Sequence, residues 1–149
     1  MIQSWEQKCW GRVWHIFCSE QTSLSWLEVK AGTCCSKHMH RERNNQFLVL
    51  SGTICIEEFC NVEVVPSLRD LVFRRRILRA TDAYMVPAGI KHRFRVLEDG
   101  ELIEIYWPIA GGEVRQDDII RDDVGTGQDD QTELLKELYD AGLYDRRRS

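Results

Sequence analysis

Histidine and proline are scarce in this sequence, with four and three among 149 residues, so each one stands out where it falls. No apolar run approaches the roughly 20 residues that a membrane-crossing helix needs, which argues against a membrane partner. The opening residues, Met1 to Trp10, lack a cationic stretch leading into an apolar one. No secretory signal is therefore expected, and the cytoplasm is the expected compartment. The six cysteines (Cys9, Cys18, Cys34, Cys35, Cys55, Cys60) lack the paired spacing of a zinc motif. In a reducing compartment they are expected to be small buried hydrophobes rather than disulfides. A basic footprint for nucleic acid is missing as well. Residues 1–112 hold fourteen basic and thirteen acidic side chains, and residues 113–145 hold three basic against eleven acidic. Arg146 to Arg148 then bring the net charge to −4. The one basic run, Arg74-Arg75-Arg76 with Arg79, is expected to be a solvated strand edge guarded against pairing.

What is present fits one domain with a working core: 43% hydrophobic and 30% charged residues. Short β-rich runs recur with turn signals between them. They are Arg12 to Cys18, Leu24 to Lys30, Phe47 to Leu50, Thr53 to Phe59, Leu71 to Leu78, Ala83 to Val86, Arg93 to Leu97 and Leu102 to Trp107. Ser51-Gly52 and Asp99-Gly100 are expected to be hairpin turns, and Asn61 to Asp70 a longer loop around Pro66. Phe47 to Leu50 is apolar throughout, so both of its faces should be covered, by a second layer or a partner subunit. Such spacing argues for a β-sandwich or barrel. Gln116 to Asp130 is expected to be an exposed acidic loop. Thr132 to Gly142 is expected to be a helix with Leu134, Leu135, Leu138 and Tyr139 on one face, ended by Gly142. The expected division is a barrel domain over 1–125 and an acidic loop, helix and basic tail over 126–149.

His38 and His40 are the sharpest chemical signal. On a strand, residues two apart leave the same face, their Cα atoms roughly 6.5–7 Å apart. Two imidazoles so placed can converge on one metal ion at about 2.0–2.2 Å from each nitrogen. His92 follows the turn Pro87-Ala88-Gly89 and opens another strand. His15, alone in a β-rich run, is expected to be packed or hydrogen-bonded.

These segments together resemble the two motifs of the cupin superfamily. Gly32, His38, His40 and Gly52 fall on the first motif, with Asn45 where the family carries a glutamate ligand. Pro87, Gly89 and His92 fall on the second, with Asp82 and Val96 at its opening glycine and closing asparagine. The likeness extends further, through Trp10-Gly11, Arg43, Val49 to Thr53, Lys91 to Arg93, Leu102 to Ile105 and Asp117 to Arg121 with Asp123. Over roughly residues 10–125 the chain resembles the C-terminal domain of type II mannose-6-phosphate isomerases. The resemblance implies an all-β, single-domain jelly-roll barrel with the short C-terminal helix outside the match. It further implies a divalent metal held by His38, His40, His92 and the Asn45 position, Arg43 beside the site as a ligand-binding residue, a phosphosugar ligand, and a homodimer.

Three neutral imidazoles with an open position suit zinc, iron or nickel. Isomerisation also needs a base, and no residue declares itself as one: Glu28, Glu57, Lys91 and Glu104 each read more simply as solvated or paired. Three functions therefore stand open. They are a metal-dependent sugar-phosphate isomerase, a non-catalytic cupin binding a small molecule, and a three-histidine iron dioxygenase.

Overall fold

The computed structural model describes residues 4–60 and 71–145. The loop expected at 61–70 and the arginines at 146–148 lie outside the described residues. The chain runs β1 (Ser4–Lys8), β2 (Gly11–Cys18), β3 (Ser23–Val29), β4 (Thr33–Cys34), β5 (His38–Met39), β6 (Arg43–Phe59), β7 (Val72–Arg79), β8 (Ala83–Val86), β9 (Lys91–Pro108), β10 (Ile120–Arg121) and α1 (Thr132–Asp140). Among the described residues, no helix is long and apolar enough to cross a membrane.

Two long strands organise everything else. β6 and β9 pair antiparallel from Arg43↔Pro108 to Phe59↔Lys91, with register shifts between Val49 and Ile54. These irregularities let both strands bend, so each serves two halves of a curled sheet. The outer half of β9 takes β3, followed by β2 and β1, while its inner half takes β4 and β5. β7 and β8 pair with the two ends of β6.

The expected hairpin turns are therefore absent. Gly52 and Gly100 lie within the strands and face each other across the pair. A Cβ on Gly52 would sit 2.4 Å from the Asp99 carbonyl oxygen, and one on Gly100 would sit 2.0 Å from that of Ser51. Glycine is required here by close backbone approach. Thr81, next to Asp82 in the turn before β8, takes a left-handed conformation (φ 78°).

Alternation sorts the side chains. Val13, Leu27, Val29, Phe47, Val49, Ile54, Ile56, Val86, Phe94, Val96 and Leu102 fill the interior. Within the run expected to be covered on both faces, Leu50 is in fact exposed. Three cysteines depart from expectation as well, since Cys9 and Cys18 are exposed and Cys60 is half-buried.

The helix docks on the outer face of the β6–β9 pair. Leu134 and Leu138 pack with Cys55, Leu97 and Tyr144, whereas Tyr139 turns to solvent. Gly142 (φ 69°) ends the helix, with its N–H on the Tyr139 carbonyl and that of Leu143 on the Leu138 carbonyl. Beneath the helix lies Glu57, wholly buried. It meets Arg75 Nε at 3.0 Å, Arg93 Nε at 2.9 Å and Arg95 Nη1 at 3.7 Å. Arg75 also reaches Glu137 of the helix, and Arg95 binds Asp129 at 2.7 Å. The basic strand is thus a solvated edge only in part, because Arg75 serves this buried carboxylate.

Candidate metal centre

The curled sheet brings the three histidines together. β5 carries His38, directly opposite His92 on β9, and His40 follows two residues later on the same face. Ring centroids lie 4.6 Å (His38–His92), 5.0 Å (His38–His40) and 5.8 Å (His40–His92) apart. One nitrogen from each falls within 4.8 Å of the others, and all three residues are buried.

Hydrogen bonds decide which nitrogens face inward. Nδ1 of His38 lies 2.7 Å from the Ser36 carbonyl, Nδ1 of His92 2.9 Å from that of Ile90, and Nδ1 of His40 2.6 Å from that of Asp118. A carbonyl only accepts, so each Nδ1 carries the proton and donates. Every Nε2 is then left unprotonated. Arg43 Nε also approaches His40 Nδ1, at 3.2 Å. It cannot share that nitrogen's proton, so its effect there is electrostatic.

Burial lowers the pKa of all three rings. His40 falls to about 3, with the Arg43 cation adding to the effect and the Asp118 hydrogen bond opposing it. His92 falls to about 4, and His38 lies well below the ordinary range, pressed further down by its two neighbours. At neutral pH the trio is therefore uncharged and ready to bind a cation. His40 Nε2 is buried with no hydrogen-bond partner. A buried acceptor without a partner is costly, and a divalent metal ion satisfies that demand. The residues present fit such an ion.

Asn45 stands beside the trio, its Nδ2 3.4 Å from His92 Nε2. The same amide donates to Glu104 Oε1 at 3.1 Å, and its own Oδ1 is buried with no partner. Arg43 stacks on Tyr106 with its guanidinium carbon 4.1 Å from the ring centroid, and donates to the Arg115 carbonyl at 2.9 Å. Arg93 faces away, as its place next to His92 dictates.

From the sequence, Glu104 is expected to be solvated or paired. It does not stand in solvent: it lines the barrel cavity and accepts from Tyr106 O–H at 2.7 Å as well as from Asn45. Burial raises its pKa, against those two hydrogen bonds and the Arg43 charge. The signal was the alternation of Leu102, Glu104 and Tyr106. Once Leu102 is assigned to the core, the other two follow it inward.

The cavity measures about 810 Å³. His38, Arg43, Glu104, Tyr106 and Arg121 form part of its wall. His15, which also lines the cavity, bonds Ser25 Oγ through Nδ1 (3.2 Å) and Glu6 through Nε2 (2.9 Å), so it is the hydrogen-bonded residue expected.

No protein-family model matches the chain, and a search of curated proteins finds no relative. Solved structures do resemble it. A Streptomyces PAC13 variant with uridine superposes with TM-score 0.63 at 11% identity, over 87% of this chain and 88% of that one. An RmlC-like cupin from Shewanella frigidimarina gives 0.54 at 15%, over 71% and 83%. Bacillus subtilis oxalate decarboxylase, described for its Mn(II) centres, gives 0.61 at 14%, over 80% of this chain and 30% of that one. What these structures share with this chain is architecture: the chain has the cupin fold, and its three histidines form a candidate metal site inside that fold.

Proposed function

We propose that the cavity is the active site of a metal-dependent enzyme that moves protons on a small hydroxylated substrate, with sugar-phosphate isomerisation as its reaction class. The observation that carries the reading is the linkage of two unlike groups. Three unprotonated Nε2 atoms converge on one place, and Asn45 joins His92 there to Glu104, a carboxyl of raised pKa.

His38, His40 and His92 would hold the ion, which when bound supplies a Lewis acid for a substrate oxygen. The other steps belong to the chain. Glu104 takes a proton from the carbon beside the carbonyl and returns it to the neighbouring carbon. Burial suits it to that work by bringing its pKa toward the operating pH. Tyr106 and Asn45 fix the orientation of the carboxylate through their hydrogen bonds. Arg43 and Arg121, which both line the cavity, are the cations that would meet a phosphate. The proposed homodimer has a face available on the outside of the sheet. There Trp14 stacks on Trp26 at 4.8 Å, and Phe17 and Met85 are exposed.

One observation favours a second reading, a three-histidine iron dioxygenase: among the described residues, no carboxylate joins the histidine cluster. A single set of measurements separates the readings. Protein purified without a histidine tag is analysed for metal, then incubated with aldose and ketose phosphates in D2O. Isomerase chemistry shows as deuterium incorporated next to the carbonyl, and Glu104→Gln lowers it by about 10²–10⁴-fold with metal content unchanged. Iron with oxygen uptake and no exchange favours the dioxygenase. Metal and ligand retention without either reaction favours a non-catalytic binder.

A further inference from the structure

Residues 115–125, which overlap the acidic loop expected over 116–130, line part of the cavity and are tied to β5, the strand that carries His38. None of their side chains is buried, and Val124 is 85% exposed. Polar contacts therefore hold them down. Ile120 and Arg121 pair with Met39 and His38. Asp122 N–H donates to the Lys37 carbonyl at 2.8 Å, and Lys37 N–H donates to Asp123 Oδ1 at 2.8 Å. The Asp118 carboxylate accepts from the N–H groups of Arg41 and Glu42, each at 2.9 Å, on the turn just after His40. That grip sets the Asp118 carbonyl 2.6 Å from His40 Nδ1.

We infer that Asp118 is a positioning residue for His40, and that docking of the 115–125 strap is coupled to metal binding. The inference rests on the metal-site reading above and extends it. The coupling works through the tautomer. With the strap docked, Nδ1–H has its acceptor and Nε2 is free for a metal. With the strap away, Nδ1 loses that acceptor and the proton is free to move to Nε2, which a metal cannot then bind. A segment without buried apolar side chains opens readily, so a contact to the ligand itself weighs heavily in its docking. Linkage makes the effect reciprocal: whatever factor strap docking adds to metal affinity, metal adds to strap docking.

Co²⁺ titration of the full chain, followed by its visible absorption, tests this together with amide hydrogen exchange at Asp122. Asp118→Ala should weaken Co²⁺ binding by about 10–100-fold and alter the spectrum. Asp118→Asn keeps one acceptor oxygen and should recover part of the loss. Asp117→Ala, which removes only a surface pair with Arg115, should change nothing. In the unaltered protein, Co²⁺ should slow exchange at Asp122. Unchanged affinity and spectrum in Asp118→Ala, or exchange at Asp122 indifferent to Co²⁺, would overturn the inference while leaving the metal site standing. If Asp118→Ala does not fold, the exchange measurement on the unaltered protein decides alone. If the unaltered protein takes up no Co²⁺, the metal-site reading falls and the coupling with it.

Discussion

Two buried polar clusters lie on opposite faces of the β6–β9 pair, and the two are chemical opposites. Under the helix, Glu57 has three arginines, two of which pair onward with Glu137 and Asp129. Every charge is answered from within the chain. Inside the barrel, three histidines spend their Nδ1 protons on backbone carbonyls and turn unprotonated Nε2 atoms toward one another. Folding completes the first cluster and leaves the second open. A saturated cluster serves the fold, and an unsaturated one is prepared for something that the chain does not contain.

The comparison can be broken most forcefully at Glu57. Glu57→Ala leaves three arginines around a vacated buried site and should cost about 3–5 kcal/mol in urea unfolding. Metal affinity should be unchanged, and a variant that unfolds normally but loses metal would merge the two clusters into one. A pH series probes the other side. The ordinary histidine value is 6.5, while His92 and His40 in the fold lie near 4 and 3. Below pH 6.5 the unfolded chain takes up protons that the folded chain refuses. The stability contributed by these rings is complete above 6.5 and declines as the pH falls toward 4. Each imidazole contributes up to about 1.4 kcal/mol per pH unit in that window. His40→Leu should flatten the slope, and an unaltered slope would show that the ring titrates normally.

Asn45→Glu sharpens the contrast by restoring a carboxylate beside the open cluster. Metal affinity should rise on the order of tenfold, about 1.4 kcal/mol. An unchanged titration would remove residue 45 from the ion's surroundings. The smallest effect belongs to neither cluster: Thr81→Gly relieves a β-branched residue at φ 78°. It should raise stability by about 0.5–1 kcal/mol, since the left-handed strain slightly exceeds the entropy that glycine loses.

Much of the open cluster was legible because strand period alone puts His38 and His40 on one face, and a proline-glycine turn announces His92. The barrel was legible from the rhythm of short β runs. The continuity of β6 and β9 was not. Glycine serves turns and close backbone approaches alike, and only the opposing strand distinguishes them at Gly52 and Gly100. Glu104 escaped because a carboxylate on a strand ordinarily faces water, and its inward placement depends on the register of Leu102. The tie from Asp118 to His40 runs through a main-chain carbonyl, which no side-chain pattern encodes.

The central claim, that three unprotonated imidazole nitrogens form a metal site, is tested most directly by titrating metal-free protein with Zn²⁺ in a calorimeter at neutral pH. One ion should bind per chain, and the binding should be lost in His92→Ala. Heat no greater than dilution in the unaltered protein, or undiminished binding in His92→Ala, would contradict it.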